Sequence, residues 1–109
     1  GAGCHDVLVV GGGGREHAIA VKLRDSPQVR HVYCAPGNGG TAVEPGVTNC
    51  AVGEGDVDGL VGLAREKRVA LVFVGPEAPL CAGLADACAA AGLACFGPSR
   101  RSAELEASK

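Results

Sequence analysis

The protein has 109 residues, enough for a single domain of ordinary size. Apolar residues make up 47% of the sequence and charged residues 20%, proportions typical of globular proteins rather than of disordered chains. The formal net charge is −2 and only 3% of the residues are aromatic, so the basic field and stacking surfaces of a nucleic-acid-binding protein are lacking. No apolar run approaches the length of a membrane span. We therefore expect neither nucleic acid nor membrane as a partner.

Small side chains must supply the core. Gly and Ala each occur 18 times and Val 14 times, a supply that favours the closely packed strands and helices of α/β proteins. The six cysteines contain no C-x-x-C pair, which argues against a zinc site. A chain that can build its own core has little need of disulfides, so we expect buried, reduced thiols.

Apolar runs alternate with helical patterns from the first residues onward. Strands are predicted at residues 6–10, 29–35, 69–74 and 93–96, with a short additional strand near 49–52. Helices are predicted at residues 15–24, 57–67 and 80–91, with Asp56 as an N-cap of the second and Gly92 at the end of the third. A last helix is expected to begin at Ser99 or Ser102 and to continue to Lys109.

This alternation predicts an α/β fold, an open parallel sheet with helices on both faces. In such sheets ligands bind outside the carboxyl ends of the strands. Four loops rich in Gly and Pro leave that edge: Gly11–Arg15, Pro36–Thr41, Gly75–Pro79 and Gly97–Ser99. The sequence therefore predicts a ligand site along this edge.

The first of these loops leads from a strand into a helix, whose free N–H groups suit a phosphate. A dinucleotide fingerprint requires G-x-G-x-x-G, but Glu16 or His17 stands where the last glycine should be. A Walker A loop requires Gly-Lys-Ser/Thr, whereas Arg15 and Glu16 follow the last glycine here. A small phosphorylated metabolite fits the loop better than either nucleotide motif.

Several polar residues near this edge admit two interpretations. Glu16 either meets a hydroxyl or amine of the ligand or acts as a partner of the helix dipole in the first turn. Glu77 either meets the ligand in the same way or belongs to a rigid exposed turn or an N-cap interaction. Arg15 is either a surface residue or a phosphate clamp. Asn38 either adopts a left-handed turn conformation or turns its amide to the ligand. His17 is expected to be structural.

Four segments are specific in combination. They are Val-Leu-Val-Val-Gly-Gly-Gly-Gly-Arg-Glu-His-Ala at 7–18, Ala-Pro-Gly-Asn-Gly-Gly-Thr-Ala at 35–42, Val-Gly-Pro-Glu-Ala-Pro-Leu at 74–80 and Phe-Gly-Pro-Ser at 96–99. In this order and spacing the chain resembles the opening of the phosphoribosylamine–glycine ligase family over nearly all of its length. The departures are mild: Gly12 where many members carry Ser, Gly39 where Ala is common, and Ser99 where Thr is usual.

The resemblance implies an ATP-dependent ligase that joins glycine to 5-phosphoribosylamine in purine biosynthesis. Residues 1–109 would form its Rossmann-like pre-ATP-grasp domain, ending at the start of the helix that leads into the ATP-grasp domain. ATP and Mg²⁺ (or Mn²⁺) would be bound by the ATP-grasp and C-terminal domains, so this part of the enzyme would carry no catalytic residue or metal ligand and would be inert alone. The implied location is the cytoplasm, or a plastid in a plant or alga.

The resemblance also carries a substrate-binding set onto this sequence. Its members are expected to approach or contact 5-phosphoribosylamine: Gly12, Gly13, Gly14, Arg15, Glu16, Asn38, Gly75, Pro76 and Glu77. Two other functions stay open at this point, a dinucleotide-binding oxidoreductase domain and a non-catalytic, flavodoxin-like binding module. Saturable binding of NAD(H) would favour the first of these.

Overall fold

The computed structural model describes residues 3–75 and 78–96 and contains one sheet of five parallel strands in the order β3-β2-β1-β4-β5. The strands are β1 His5–Gly11, β2 Val29–Pro36, β3 Val47–Asn49, β4 Leu71–Val74 and β5 Ala94–Phe96. The helices are α1 Gly14–Arg24, α2 Gly39–Ala42, α3 Val57–Glu66 and α4 Ala78–Ala90.

Strand β1 lies at the centre of the sheet, and its apolar run Val7–Val10 is fully buried. The chain passes from β1 to β2 on one side of it and later returns to place β4 on the other side. Successive strands are first added on the β2 side of β1 and then on the β4 side. A crevice at the carboxyl ends of the strands is expected at such a switch point, here between β1 and β4.

Helices cover both faces of the sheet, as the sequence predicts. On one face, Leu60 and Ala64 of α3 and Leu84 and Cys88 of α4 pack against side chains such as Leu8. The other face packs against α1, whose Ala20 is buried with strand residues of β1, β2 and β4. Alternate side chains of β1 belong to the two cores, since successive strand residues point to opposite faces.

Two elements differ from the sequence prediction. Strand β3 occupies 47–49 rather than 49–52, because Val47 is the residue that reaches the core on the α1 side while it pairs with Val32 of β2. The short helix α2 was not predicted, because its two glycines carry no helical signal. Asn38 nevertheless caps it through its side chain. The expected helix after Ser99 lies outside the described residues.

The thiols agree with the prediction of reduced cysteines. The five whose side chains are described are free, and Cys34 and Cys88 are fully buried whereas Cys4 is exposed. Burial raises the pKa of the Cys34 thiol to about 11. In the part of the chain that the structure describes, no helix is long and apolar enough to cross a bilayer.

Candidate functional site

Three of the four predicted loops lie wholly or partly within the described residues, and their described parts meet at the carboxyl edge of the sheet. Gly11 at the end of β1 pairs in register with Pro36 at the end of β2, and Val10 pairs with Val74 of β4. The loops that begin at these residues therefore start side by side. Gly75, Gly12–Glu16 and Asn38 come together at this edge, whereas Pro76, Glu77 and the loop at 97–99 lie outside the described residues.

The N-terminus of α1 opens onto this edge. The Gly13 N–H donates to the Glu16 carboxylate, and the His17 N–H donates to the Gly13 carbonyl. The amides of Gly14, Arg15 and Glu16 precede the first complete helical hydrogen bond and have no acceptor among the described residues. A Cβ placed on Gly14 would meet none of the described residues outside its own helix turn within 4 Å, so the first residue of α1 has open space beside it in the described part of the chain. The arrangement suits an anionic group.

The Glu16 side chain lies between the ends of β1 and β4. Its Oε1 accepts the Gly13 N–H at 2.9 Å. A Cβ built on Gly11 would lie 2.7 Å from the Glu16 side chain, and one built on Gly75 would lie 2.4 Å from its carboxyl carbon. The two glycines thus leave the space that the carboxylate occupies. Glu16 is a partner of the first turn of α1, as the structural interpretation predicted. Its position at the carboxyl edge of the sheet also fits the second interpretation, a contact with the ligand.

Asn38 joins the first loop to the second. Its Nδ2 donates to the Gly12 carbonyl at 2.9 Å and reaches the Gly13 carbonyl at 3.4 Å. Its backbone is extended, with φ −149°, so the left-handed conformation considered for it was wrong. The positive φ falls instead on Gly37, at +74°, which a residue without Cβ tolerates.

Sequence reasoning missed two partners of Asn38. Thr41, in α2, donates its N–H to Asn38 Oδ1 at 2.9 Å. Asn49, at the end of β3, donates from Nδ2 to the Asn38 carbonyl at 2.9 Å. Two signals could have found them. Thr41 lies three positions after a capping Asn, and Asn49 lies at the carboxyl end of a strand.

A second polar network attaches α1 to the segment after α2. His17 Nε2 and Glu44 Oε2 are 2.9 Å apart, and Arg24 Nη1 donates to Glu44 Oε1 at 2.9 Å. The hydrogen bonds from His17 and then Arg24 hold the pKa of Glu44 below its ordinary value. His17 therefore has the structural contact that the sequence analysis expected.

Arg15 is exposed and takes part in no ion pair with the described residues. Its side chain starts from the second residue of α1, beside the open amides. Both interpretations of Arg15, surface residue and phosphate clamp, are compatible with that position.

The described residues of this edge contain neither a nucleoside-triphosphate loop nor a cluster of metal-ligating side chains. The loop before α1 lacks the Lys-Ser/Thr pair of a nucleoside-triphosphate loop. No group of three metal-ligating side chains that could hold a cation occurs within residues 3–75 and 78–96.

Comparison with known proteins gives concordant matches. The family model described as "Phosphoribosylglycinamide synthetase, N domain" matches residues 5–106. Phosphoribosylamine–glycine ligase of Allochromatium vinosum is 60% identical over 103 residues, and that of Escherichia coli K12 is 52% identical over 103 residues. Each match covers 94% of this chain and 24% of the relative, so the chain spans about a quarter of the length of these curated relatives.

Two further matches bear on the setting of the domain. The trifunctional purine biosynthetic protein adenosine-3 of Gallus gallus is 52% identical over 103 residues, which are 94% of this chain and 10% of that protein. Among solved structures, CobK precorrin-6A reductase superposes with a TM-score of 0.62 at 25% identity, covering 86% of this chain and 38% of that one. The reductase supports a Rossmann-like α/β fold.

Proposed function

The chain belongs to the phosphoribosylglycinamide synthetase N-domain family, and we propose that it is the substrate-binding N-terminal domain of an ATP-dependent ligase that joins glycine to 5-phosphoribosylamine. The proposal rests on the relatives named phosphoribosylamine–glycine ligase, which are 60% and 52% identical to this chain. Residues 1–109 are its pre-ATP-grasp domain, and the reaction belongs to purine biosynthesis.

The observation that carries the role of this domain is the cluster of three open amides at the start of α1 beside the Glu16 carboxylate. The amides of Gly14, Arg15 and Glu16 would hold the phosphate of 5-phosphoribosylamine, with a contribution from the helix dipole of about 0.3–2 kcal/mol. Arg15 stands where its guanidinium would add a charge-assisted hydrogen bond.

A carboxylate next to a phosphate site is repulsive unless it meets a different part of the same ligand. Glu16 uses Oε1 for the Gly13 amide, and its Oε2 has no partner among the described residues. We assign Oε2 to a hydroxyl or the amine of the ribosylamine. Pro76 and Glu77 follow Gly75 directly and stay predicted members of this set.

The remaining components of the ligase lie outside this chain. Since this chain spans about a quarter of the length of the ligases it matches, we assign ATP and Mg²⁺ (or Mn²⁺) to the ATP-grasp and C-terminal domains of the whole protein. This domain would then hold the amine substrate while the other domains activate glycine. Holding a labile amine beside an activated acid is a positioning task, which can contribute several kcal/mol to catalysis.

The test uses the full-length ligase with Gly14→Ala. The new methyl group meets none of the described residues outside its own helix turn within 4 Å, and Ala favours the helix, so the domain should remain at least as stable. The methyl group would project from the first residue of α1, next to the amides that we assign to the phosphate. We expect the KM for 5-phosphoribosylamine, generated in the assay, to rise about tenfold or more, with the KM for ATP nearly unchanged.

Gly62→Ala is the matched control. Gly62 is also helical, and a Cβ there also meets none of the described residues outside its own helix turn within 4 Å, but it lies in α3. An unchanged KM for 5-phosphoribosylamine in the Gly14 variant, or equal effects of the two substitutions, would remove the α1 terminus from the substrate site.

A further inference from the structure

The carbonyl groups that Asn38 holds belong to the peptide units that aim the site's amides. A peptide unit is planar, with its C=O and N–H pointing in opposite directions, so fixing one fixes the other. The Gly12 carbonyl shares its plane with the Gly13 N–H, which donates to Glu16. The Gly13 carbonyl shares its plane with the open Gly14 N–H. Asn38 therefore sets the direction of amides that it does not itself touch.

Asn38 is held in turn by Thr41. The Thr41 N–H donates to Asn38 Oδ1 at 2.9 Å, which turns Nδ2 toward the first loop. The Asn38 N–H donates to Thr41 Oγ1 at 2.8 Å. Thr41 is 1% exposed, so water cannot replace these bonds if they are lost.

Asn49 completes the network from the neighbouring strand. It accepts the Thr41 hydroxyl at Oδ1, at 2.7 Å, and donates from Nδ2 to the Asn38 carbonyl at 2.9 Å. Its amide fills the space beside Gly37, where a Cβ would lie 2.1 Å from Asn49 Oδ1. The end of β3 is thereby connected through hydrogen bonds to the loop after β1, although β2 separates the two strands.

We propose that Thr41 and Asn49 are positioning residues for the substrate edge: through Asn38 they fix the Gly12 and Gly13 peptide planes and so aim the amides at the start of α1. The inference rests on the proposed function, which assigns the phosphate of 5-phosphoribosylamine to these amides. Neither residue contacts the substrate, and both act on substrate affinity through the first loop.

The experiment compares Thr41→Val and Thr41→Ser in the full-length ligase. Valine keeps the shape and the backbone N–H of threonine but lacks the hydroxyl, so it removes the bonds of that hydroxyl with the Asn38 N–H and with Asn49 Oδ1 and leaves the bond from the Thr41 N–H in place. Serine keeps the hydroxyl. We expect Thr41→Val to raise the KM for 5-phosphoribosylamine about tenfold, the factor that one hydrogen bond of ordinary strength contributes. The kcat and the KM for ATP should stay near the parent values, and Thr41→Ser should restore most of the lost affinity.

Thr48→Val is the matched control, because Thr48 is exposed on β3 and its hydroxyl meets His31 instead of this network. An unchanged KM for 5-phosphoribosylamine in Thr41→Val, a loss of kcat alone, or an equal rise for ATP would overturn the inference. If Thr41→Val does not yield folded protein, Asn49→Asp decides the same question. Its carboxylate still accepts the Thr41 hydroxyl but repels the Asn38 carbonyl, so the same rise in KM is expected.

Gly14→Ala separates this inference from the function on which it rests. If Gly14→Ala raises the KM for 5-phosphoribosylamine while the Thr41 and Asn49 variants leave it unchanged, the positioning role fails and the substrate site stands. If all of them leave it unchanged, the substrate site fails as well.

Discussion

Asp6 illustrates how one side chain near the start of β1 is kept charged inside the protein. The residue is 5% exposed, and Arg30 of β2 donates to both of its carboxylate oxygens, with Nε 2.9 Å from Oδ1. The hydrogen bonds from Arg30 hold the pKa of Asp6 below its ordinary value, although burial acts in the opposite direction. Because the Arg30 side chain is 64% exposed, loss of Arg30 would leave a buried carboxylate without its main partner, whereas loss of Asp6 would leave a largely solvated guanidinium.

The lowered pKa of Asp6 predicts the sign of its pH dependence. A carboxyl whose pKa is lower in the folded state contributes stability that is complete above its unfolded pKa of about 3.9 and is lost as the pH falls through the folded value. Asp6→Asn should therefore lower the free energy of unfolding at pH 7 and should flatten its decline below pH 4. Thermal melts of the parent and the variant from pH 7 to pH 3 measure both effects, and parallel curves would contradict the prediction.

Among the elements, α3 depends most clearly on local chemistry. It begins after Asp56, whose side chain accepts the Gly59 N–H at 3.0 Å and so satisfies one of the unpaired amides of the first turn. Its buried residues, Leu60 and Ala64, are four positions apart and therefore lie on one face. The cap and the face are both visible in the sequence, which explains why this helix was predicted to within one residue.

Removing the cap of α3 should weaken the fold by a measurable amount. Asp56→Ala is expected to lower the free energy of unfolding by about 1 kcal/mol. Asp58→Ala is the control, since Asp58 is an exposed acidic residue in the same first turn that caps nothing and should cost less than about 0.5 kcal/mol. Equal losses in chemical denaturation would show that charge near the helix start, rather than the capping bond, is what matters.

The molecule as a whole is held by two cores that share one sheet, and Leu60 belongs to the core under α3 and α4. It is 1% exposed, whereas Leu63 of the same helix is only partly buried against that core. Removing side-chain volume from a closed core costs both the lost burial and the cavity that remains.

A comparison of the two leucines tests this account of the core. Leu60→Ala should lower the free energy of unfolding by about 2–5 kcal/mol, and Leu63→Ala by less than about 2 kcal/mol. Urea denaturation of the two variants measures the difference. A cost at Leu63 that equals or exceeds the cost at Leu60 would mean that the core is centred elsewhere.

Local signals in the sequence were enough to predict the parallel α/β fold and to find the loops that form the candidate site. Buried strands such as Val7–Val10 show themselves as apolar runs, and Gly11–Gly14 marks a close turn into a helix. These features depend on residues within one turn or strand, so they can be predicted without knowing the order of the strands in the sheet. The same reasoning placed Gly12–Glu16, Asn38 and Gly75 at one edge, because the carboxyl ends of parallel strands share an edge.

Contacts between distant residues were decided by the folded chain. Glu16 occupies the space that Gly75 leaves free, although 59 positions separate the two residues. Asn49 reaches Asn38 because β3 lies next to β2, and no local pattern encodes that neighbour. A side-chain hydrogen bond forms only after the elements carrying both partners have packed, so its geometry follows from strand order and register rather than from the nearby sequence.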